Sequence, residues 1–268
     1  MRPTVAVIGA GAMGEAIIRG LLHAGWSPSE VTAADTAIER LELLGSELGI
    51  GTTPDAAEAV PGKDLVVVVV KPNHVADVID AIASSLSADQ VVLSVAAGIP
   101  ISAYEEKLTA IPVVRAMPNT PALLGAGAAA IAAGTHAAPE HMRMAAAVLG
   151  AVGIVEEVPE SLIDAVTAVS GSGPAYVFLL SESMQAAARE MGLPADTARS
   201  LVDQTILGAG RMLTETDADA ATLRHRVTSP GGTTAAALAV FERGGFSALV
   251  ADALKAAEAR GRELGQGS

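Results

Sequence analysis

Residues 5–14 read Val-Ala-Val-Ile-Gly-Ala-Gly-Ala-Met-Gly, a short apolar run followed by three glycines in the pattern G-x-G-x-x-G. The apolar run predicts a strand over 4–8, and the segment behind the glycines predicts a helix over about 13–24. Only glycine permits so tight a turn and lets a pyrophosphate approach the backbone amides at a helix N-terminus. The stretch therefore predicts a dinucleotide site formed by Ile8, Gly9, Ala10, Gly11, Ala12, Met13 and Gly14.

A carboxylate follows this turn at the spacing that dinucleotide folds use. Asp35 lies 21 residues after Gly14, at the end of a second predicted strand, where such a side chain bonds the ribose hydroxyls and disfavours a 2′-phosphate. Thr36 and Arg40 lie in the same turn and offer polar and basic groups to a phosphate. The sequence adds Asp35 and Thr36 to the site and leaves the choice between NADH and NADPH open.

The first 160 residues alternate short apolar segments with helix-like ones. Five consecutive valines end the run Leu65 to Val70, which is typical of a strand buried on both faces of a parallel sheet. The alternation predicts an α/β fold with a doubly wound parallel sheet in a domain over residues 1–160. Strands are predicted over 4–8, 31–34, 65–70, 91–95 and 113–116, and more weakly over 128–132 and 154–157; helices over 13–24, 37–48, 74–85, 101–109 and 139–150.

The remaining residues, 161–268, contain long segments rich in Ala and Leu and no convincing strand. One helix is predicted from Ser172-Gly173-Pro174 to about Met191, and the next from Pro194 to about Thr214. Segments such as 176–188 are apolar on more than one face and must be buried. A domain of this size cannot bury several such helices within itself, so we expect an all-α dimerisation domain over 161–268 and a homo-oligomer.

Composition narrows the functional classes. A net charge of −13 disfavours binding to nucleic acid, because phosphates require Lys and Arg to replace their counterions. Cysteine is absent, and the five histidines lack metal-ligand spacing, so we expect no disulfides and no metal. The run over 65–70 is far shorter than the about 20 apolar residues of a membrane span. With no signal peptide apparent before the first strand, we expect a cytoplasmic protein.

Two further strand ends carry small or cationic residues. Val70, Lys71 and Pro72 end one predicted strand, and Val95, Ala96, Ala97 and Gly98 end the next. Ligands of doubly wound sheets cross the carboxyl ends of the strands, where small residues let a flat cofactor lie close. These seven residues therefore join the predicted cofactor site. The alternatives are ordinary packing for the alanines and a solvated charge for the lysine.

Two loops are candidates for contact with the reacting groups. In the first, prolines flank Asn119 and Thr120, so that Asn119 is held rigidly and can orient a nicotinamide or a substrate, or else closes an Asx turn. In the second, Ser229-Pro230-Gly231-Gly232-Thr233-Thr234 precedes an Ala-rich helix. Its free amides and hydroxyls suit a carboxylate with a neighbouring ring atom. The alternative is a simple N-cap, which does not need two glycines.

At these residues the sequence resembles the pyrroline-5-carboxylate reductases over essentially its whole length. Six stretches carry the resemblance in order: Gly9–Gly14, Val70–Pro72, Ser94–Gly98, Arg115–Pro121, Ala168–Tyr176 and Ser229–Thr234. The last two are specific to this family. The resemblance implies a Rossmann domain, an intertwined helical dimer with active sites at its interface, and in many members a decamer.

The resemblance also implies an activity, namely hydride transfer from NADPH or NADH to the cyclic imine 1-pyrroline-5-carboxylate, which gives L-proline in the last step of proline biosynthesis. It implies that Ser229 and the amides of Gly231, Gly232, Thr233 and Thr234 hold the substrate carboxylate. The Thr234 hydroxyl then bonds the ring nitrogen and is the candidate catalytic group. The roles of Asp217 and His225 stay open.

Two other functions share part of this pattern. A β-hydroxyacid dehydrogenase has a similar two-domain plan but needs a lysine in its helical domain, and no lysine occurs between Lys107 and Lys255. A non-catalytic redox sensor that binds NAD(P) has the same Gly-rich turn but does not require the loop from Ser229 to Thr234.

Overall fold

The computed structural model describes residues 2–266. The part before Ser172 is built on one sheet of eight strands. The strands are β1 (Val5–Ile8), β2 (Val31–Ala34), β3 (Gly51–Thr53), β4 (Leu65–Val68), β5 (Val91–Ser94), β6 (Val113–Met117), β7 (Gly127–Ala133) and β8 (Gly153–Glu157). The helices are α1 (Ala12–His23), α2 (Ile38–Leu48), α3 (Ala56–Ala59), α4 (Val75–Ile82), α5 (Ile101–Glu105), α6 (Pro139–Gly150) and α7 (Ile163–Val166).

The strand order is β3-β2-β1-β4-β5-β6-β7-β8, and β1 to β6 are mutually parallel. The order reverses at β1, which pairs with β2 on one side and β4 on the other. In a doubly wound sheet this switch point opens a crevice at the carboxyl ends of the strands. The predicted α/β fold with a doubly wound sheet is confirmed.

One edge of the sheet departs from the predicted parallel order. β7 runs antiparallel to β6, and β8 is parallel to β7. The connection between β6 and β7, residues 118–126, is shorter than the dozen or more residues that a parallel crossover needs. The chain must therefore reverse direction there, and the loop that contains Asn119 makes this reversal.

Several local features differ from the predicted elements. The helices predicted over 101–109 and 74–85 are shorter, since α5 ends at Glu105 and α4 at Ile82. β4 ends at Val68 rather than Val70, because the Gly9 turn lies against the next peptide: a Cβ on Gly9 would stand 2.5 Å from the carbonyl oxygen of Val69. β3 and α3 were not predicted at all. β3 has only three residues, Gly-Thr-Thr, and so lacks the apolar alternation by which a strand is recognised.

Residues of each strand alternate between two hydrophobic cores, one on each face of the sheet. Val5 and Val7 contribute to one core together with α1, α2 and α6, whereas Ala6 and Ile8 contribute to the other with α4 and α5. All four side chains are at most 3% exposed. The sheet is therefore covered on both faces, as parallel sheets require.

A hydroxyl pair lies within the second of these cores. Tyr104 on α5 and Ser94 at the end of β5 are fully buried, and their oxygens are 2.5 Å apart. The Ser94 hydroxyl also accepts a hydrogen bond from the amide of Ala96 (3.3 Å). Burial raises the pKa of the Tyr104 phenol to about 12, so that it stays protonated at neutral pH. The pair ties α5 to the loop that follows β5.

We expect this buried phenol to make the fold sensitive to alkali. Since the unfolded chain loses the phenolic proton near pH 10 and the folded chain only near pH 12, the free energy of unfolding should fall across that range by up to about 1.4 kcal/mol per pH unit. Tyr104→Phe should remove this slope and cost about 1 kcal/mol at neutral pH. Urea titrations at several pH values measure both effects.

The control for this prediction is Tyr176→Phe, which alters the only other tyrosine of the chain, one whose side chain is 38% exposed. Tyr176→Phe should keep the alkaline slope of the parent protein. An unchanged slope in Tyr104→Phe would show that other groups, such as lysines, cause the loss.

The second part of the chain is helical, as predicted. Its helices are α8 (Gly173–Glu190), α9 (Ala195–Glu215), α10 (Ala220–Arg226), α11 (Thr233–Arg243) and α12 (Phe246–Gln266). Among residues 173–255 only Ala188, Ala198, Val202 and Leu223 are buried hydrophobic residues. Large apolar side chains lie open in the single chain, including Phe178, Leu179, Val240 and Leu249, each at least 60% exposed.

The structure divides into two compact units. One contains the chain up to Ser172 together with the end of α12 from Ala256, and the other is Gly173–Lys255. The predicted domain division between residues 160 and 161 remains a prediction. α8 follows directly on α7 through a π-helical turn, Thr167–Gly171.

Some of these apolar helices also have the length and composition of a membrane span. By length and composition alone, the stretch Glu160–Glu190 is long and apolar enough to cross a membrane, and the bent pair formed by α11 and most of α12 passes the same test together. Both stretches contain polar residues among the apolar ones, so neither is an uninterrupted apolar run.

Candidate active site

The Gly-rich turn depends on two glycines for steric reasons. Gly9 has a φ of +105°, and a Cβ on Gly14 would lie 2.0 Å from the carbonyl oxygen of Gly9. By contrast, a Cβ on Gly11 would meet no protein atom within 4 Å. Gly11 is also the N-cap of α1 and has no side-chain cap. The turn therefore packs tightly on its protein side and leaves backbone amides open on the other, which is the cradle that a pyrophosphate needs.

A cavity of about 870 Å³ lies at the carboxyl ends of β1, β2 and β4. It brings together seven of the residues predicted to bind the cofactor: Ile8, Gly9, Gly11, Asp35, Thr36, Val70 and Lys71. Ala10, Ala12, Met13 and Gly14 form the rest of the turn and the start of α1 and do not line the cavity.

The other predicted cofactor residues lie elsewhere in the same unit. Pro72, Ala97 and Gly98 line a second cavity of about 760 Å³, beside the end of α12. Ala96 is buried and Val95 half-buried, and both pack in the cores. The loops after β4 and β5 thus contribute to two neighbouring cavities.

Several residues that line the first cavity were not predicted, among them Pro54, Asp55, His74 and Asp77. Pro54 and Asp55 follow β3, the strand that sequence reasoning missed. The sequence did contain a signal for the start of α3, namely an aspartate at the N-cap position. Asp55 is this N-cap and accepts a hydrogen bond from the amide of Ala57 (2.8 Å).

The peptide of Ala10 is held by charged side chains on both sides. Its N–H donates to Asp35 Oδ2 (2.6 Å), and its carbonyl accepts from Arg40 Nε. The second oxygen of Asp35 accepts from the amide of Ala37 (2.9 Å). Arg40 Nη2 in turn donates to Glu15 (2.5 Å). Asp35 thus fixes the turn and also lines the cavity.

Both polar ends of Asn119 are engaged within the fold. Nδ2 donates to the carbonyl of Ser170 (3.0 Å), and Oδ1 accepts from the amide of Ala128 (2.9 Å). Asn119 is 9% exposed. These bonds reach distant residues, so the side chain does not close a local Asx turn; it ties the start of β7 to the π-helical turn. A role toward substrate or nicotinamide remains a prediction.

The predicted substrate loop lies in the helical unit, between α10 and α11. Gly231 has a φ of +71°, and a Cβ on Gly232 would lie 2.5 Å from Ser229 Oγ. Gly232 is the N-cap of α11 and provides no side-chain cap. Within residues 2–266, the hydroxyls of Ser229, Thr233 and Thr234 have no recorded hydrogen-bond partner. The helix N-terminus is therefore open, and a simple side-chain N-cap is not what forms here.

The two residues whose roles the sequence left open are also in the helical unit. Asp217 lines a shallow cavity between α9 and α10 together with Asp219 and Arg226. His225 is exposed on α10. The geometry of the single chain assigns neither of them a role.

Comparison with known families places both parts of the chain in one class of protein. The family model "NADP oxidoreductase coenzyme F420-dependent" matches residues 4–98, and the model "Pyrroline-5-carboxylate reductase dimerisation" matches residues 160–264. Together with the open Gly-rich turn at the switch point of the sheet, these matches define an oxidoreductase that depends on a nicotinamide dinucleotide.

Full-length relatives identify the family. A pyrroline-5-carboxylate reductase of Pseudomonas aeruginosa is 44% identical, with 98% of this chain and 97% of that protein covered. The solved structure of a pyrroline-5-carboxylate reductase from Coxiella burnetii has a TM-score of 0.95 and 37% identity over 98% of this chain and 99% of that one. The chain belongs to the pyrroline-5-carboxylate reductase family.

A third comparison concerns the cofactor. The crystal structure of Plasmodium falciparum pyrroline carboxylate reductase with NADP bound has a TM-score of 0.84 and 28% identity, over 98% of both chains. That protein binds NADP, which supports a nicotinamide cofactor for this fold; which of the two nicotinamide cofactors the present chain uses is a separate matter.

Substitutions of Gly11 and Gly14 test the two sides of the turn separately. Gly11→Ala meets open space, so we expect the free energy of unfolding to change by no more than about 0.5 kcal/mol. The new methyl faces the pyrophosphate, so the Kd for the dinucleotide should rise about tenfold or more. Gly14→Ala collides with the Gly9 carbonyl and should cost about 1–3 kcal/mol of stability.

Thermal unfolding and titration of cofactor fluorescence measure the two quantities on the same samples. If Gly11→Ala bound the dinucleotide as tightly as the parent protein, the pyrophosphate would have to lie away from this turn.

Proposed function

We propose that the chain reduces 1-pyrroline-5-carboxylate to L-proline, the last step of proline biosynthesis, with NADH or NADPH as the hydride donor. The observation that carries the proposal is the open N-terminus of α11, with three hydroxyls around it, in a member of the pyrroline-5-carboxylate reductase family. The carboxylate of a cyclic imine complements the partial positive charge of this helix N-terminus, and the hydroxyls can bond its ring nitrogen.

The sheet unit supplies the dinucleotide site of this proposal. When bound, the reduced nicotinamide supplies the hydride. The amides that follow Gly11 at the start of α1 hold the pyrophosphate, and Asp35 lies where the ribose hydroxyls are recognised. The loops Val70–Pro72 and Val95–Gly98 lie at the carboxyl ends of β4 and β5, where the rest of the cofactor passes.

The helical unit supplies the substrate site. Ser229 and the amides from Gly231 to Thr234 hold the carboxylate, because a helix N-terminus carries free donors and a partial positive charge. The Thr234 hydroxyl donates to or accepts from the ring nitrogen. Asn119 completes this proposed set of substrate residues through the remaining hydrogen of its amide.

The reaction depends more on correct positioning of the substrate than on a strong general acid. Reduction adds hydride to the imine carbon, and the nitrogen becomes an amine. A protonated imine is already electrophilic, so the protein mainly has to orient the ring, which contributes about 7–11 kcal/mol in well-aligned reactions. A hydroxyl at the nitrogen adds alignment and relays a proton by way of water.

We also propose an assembly for the chain. The dinucleotide domain spans residues 1–160 and the dimerisation and substrate domain residues 161–268. Exposed apolar side chains such as Phe178 and Leu249 are then covered by a second copy, as obligate interfaces are more apolar than ordinary surfaces. We propose a cytoplasmic homodimer with sites at its interface, which assembles further into a decamer.

Two rival functions make different predictions. A β-hydroxyacid dehydrogenase needs a lysine in its helical domain, and the only lysine of residues 161–268 is Lys255, whose side chain is 76% exposed and pairs with Asp252. A redox sensor would bind the dinucleotide without turnover. Incubation with the imine and each reduced nicotinamide, followed by absorbance of the reduced cofactor, separates these cases: oxidation of either cofactor supports the reductase, and binding without oxidation supports the sensor.

Thr234→Ala tests the substrate loop. Without the hydroxyl the imine nitrogen loses its alignment, so we expect kcat to fall about 100-fold, with the Kd for the dinucleotide unchanged. The matched control is Thr228→Ala in the same loop, because the Thr228 hydroxyl already donates to the carbonyl of Arg224 (2.6 Å). Thr228→Ala should keep its turnover.

Steady-state rates and cofactor titration are compared across the three proteins. Parallel losses of turnover and dinucleotide affinity in Thr234→Ala would mean that the loop has only a structural role.

A further inference from the structure

The turn after β2 decides which dinucleotide fits, because the 2′ position of the adenine ribose lies there in doubly wound folds. This inference rests on the dinucleotide site proposed above. Near the turn, the cavity is lined by Asp35 and Thr36, and by Asp55 from the neighbouring strand end. None of these three side chains is basic, and two carry negative charge, so a 2′-phosphate would face like charges.

A basic residue is nevertheless close in sequence. Arg40 lies in the first turn of α2, where a phosphate-binding arginine is useful. It does not line the cavity. Its guanidinium instead crosses to the Gly-rich turn, where Nε donates to the carbonyl of Ala10 and Nη2 donates to Glu15.

Glu15 holds this arginine as part of a chain of ion pairs. Its carboxylate bonds Arg40 (2.5 Å) through one oxygen and Arg19 Nε (2.7 Å) through the other. Arg19 also pairs with Glu47 (2.7 Å). The hydrogen bond from Arg19, together with the positive charges of Arg19 and Arg40, lowers the pKa of Glu15. Glu15 therefore keeps its charge, and its hold on Arg40, throughout the neutral pH range.

We infer that Glu15 is a specificity-determining residue: by holding Arg40 against the Ala10 carbonyl, it keeps the arginine away from the 2′ position and leaves Asp35 to select NADH over NADPH. Two carboxylates thus act in series. Asp35 repels the phosphate, and Glu15 withholds the cation that would neutralise it.

Direct binding measures this preference without any imine. The Kd values of NADH and NADPH are obtained by fluorescence titration of the full chain, and the readout is the ratio of the NADPH value to the NADH value. The parent protein should favour NADH at least about tenfold, since a 2′-phosphate would face the like charges of Asp35 and Asp55. A parent protein that favours NADPH overturns the inference.

Glu15→Gln releases Arg40 and should lower this ratio at least about fivefold, a usual size for coupling between neighbouring groups. NADH and NADPH both contain the pyrophosphate, so any effect of the lost charge on its binding cancels in the ratio of the two Kd values. The matched control is Glu47→Gln, which removes the other carboxylate of Arg19 and has no recorded bond to Arg40 among the described residues. Glu47→Gln should keep the parent ratio; an equal ratio in all three proteins overturns the inference.

Arg40→Ala gives a second test that does not depend on the stability of Glu15→Gln. If Arg40 is withheld from the phosphate, Arg40→Ala in the parent protein changes both affinities alike and keeps the ratio within about twofold. A selective loss of NADPH affinity would show that Arg40 leaves Glu15 when the phosphate arrives, and would overturn the inference.

Failure of this inference and failure of the proposed function look different. Selective NADH binding without imine reduction would contradict the reductase function and leave the inference standing. Imine reduction with a preference for NADPH would do the reverse.

Discussion

The close approach of Gly14 to the carbonyl of Gly9 is the constraint on which the rest of the site depends. No side chain larger than hydrogen fits there, since a Cβ would come within 2.0 Å of that oxygen. This contact brings the start of α1 directly onto the end of β1. Because β1 is also the point at which the strand order reverses, the amides of the turn face the crevice between β2 and β4.

The charged groups around the turn reinforce this geometry. The N–H of Ala10 donates to Asp35 and its carbonyl accepts from Arg40. One partner therefore comes from the end of β2 and the other from α2. A residue that recognises the nucleotide in such folds thus also shapes the loop that receives the phosphates. Changes at Asp35 will therefore alter the turn as well as ribose recognition.

Much of the fold could be predicted because its strands are strongly apolar and its helices are bounded by Gly and Pro. The seven strands that were predicted all exist, and so do the helices before and after Gly192. β3 escaped because three residues without apolar alternation carry no periodic signal. The reversal at β7 follows from loop length rather than from residue type, and the distant partners of Asn119 are tertiary contacts that no local pattern encodes. The Glu15–Arg40 pair, which joins two helices, is likewise a tertiary contact that the sequence pattern does not reveal.

The last helix has a consequence for how this family can be recombined. α12 begins in the helical unit, but from Ala256 onward it is part of the sheet unit, where a Cβ on Gly98 would stand 3.8 Å from Leu264. A chimera that exchanges one domain at a single crossover would therefore carry a foreign C-terminal segment within its own sheet unit. Grafting between relatives needs two breakpoints, or a tail matched to the sheet unit that it joins.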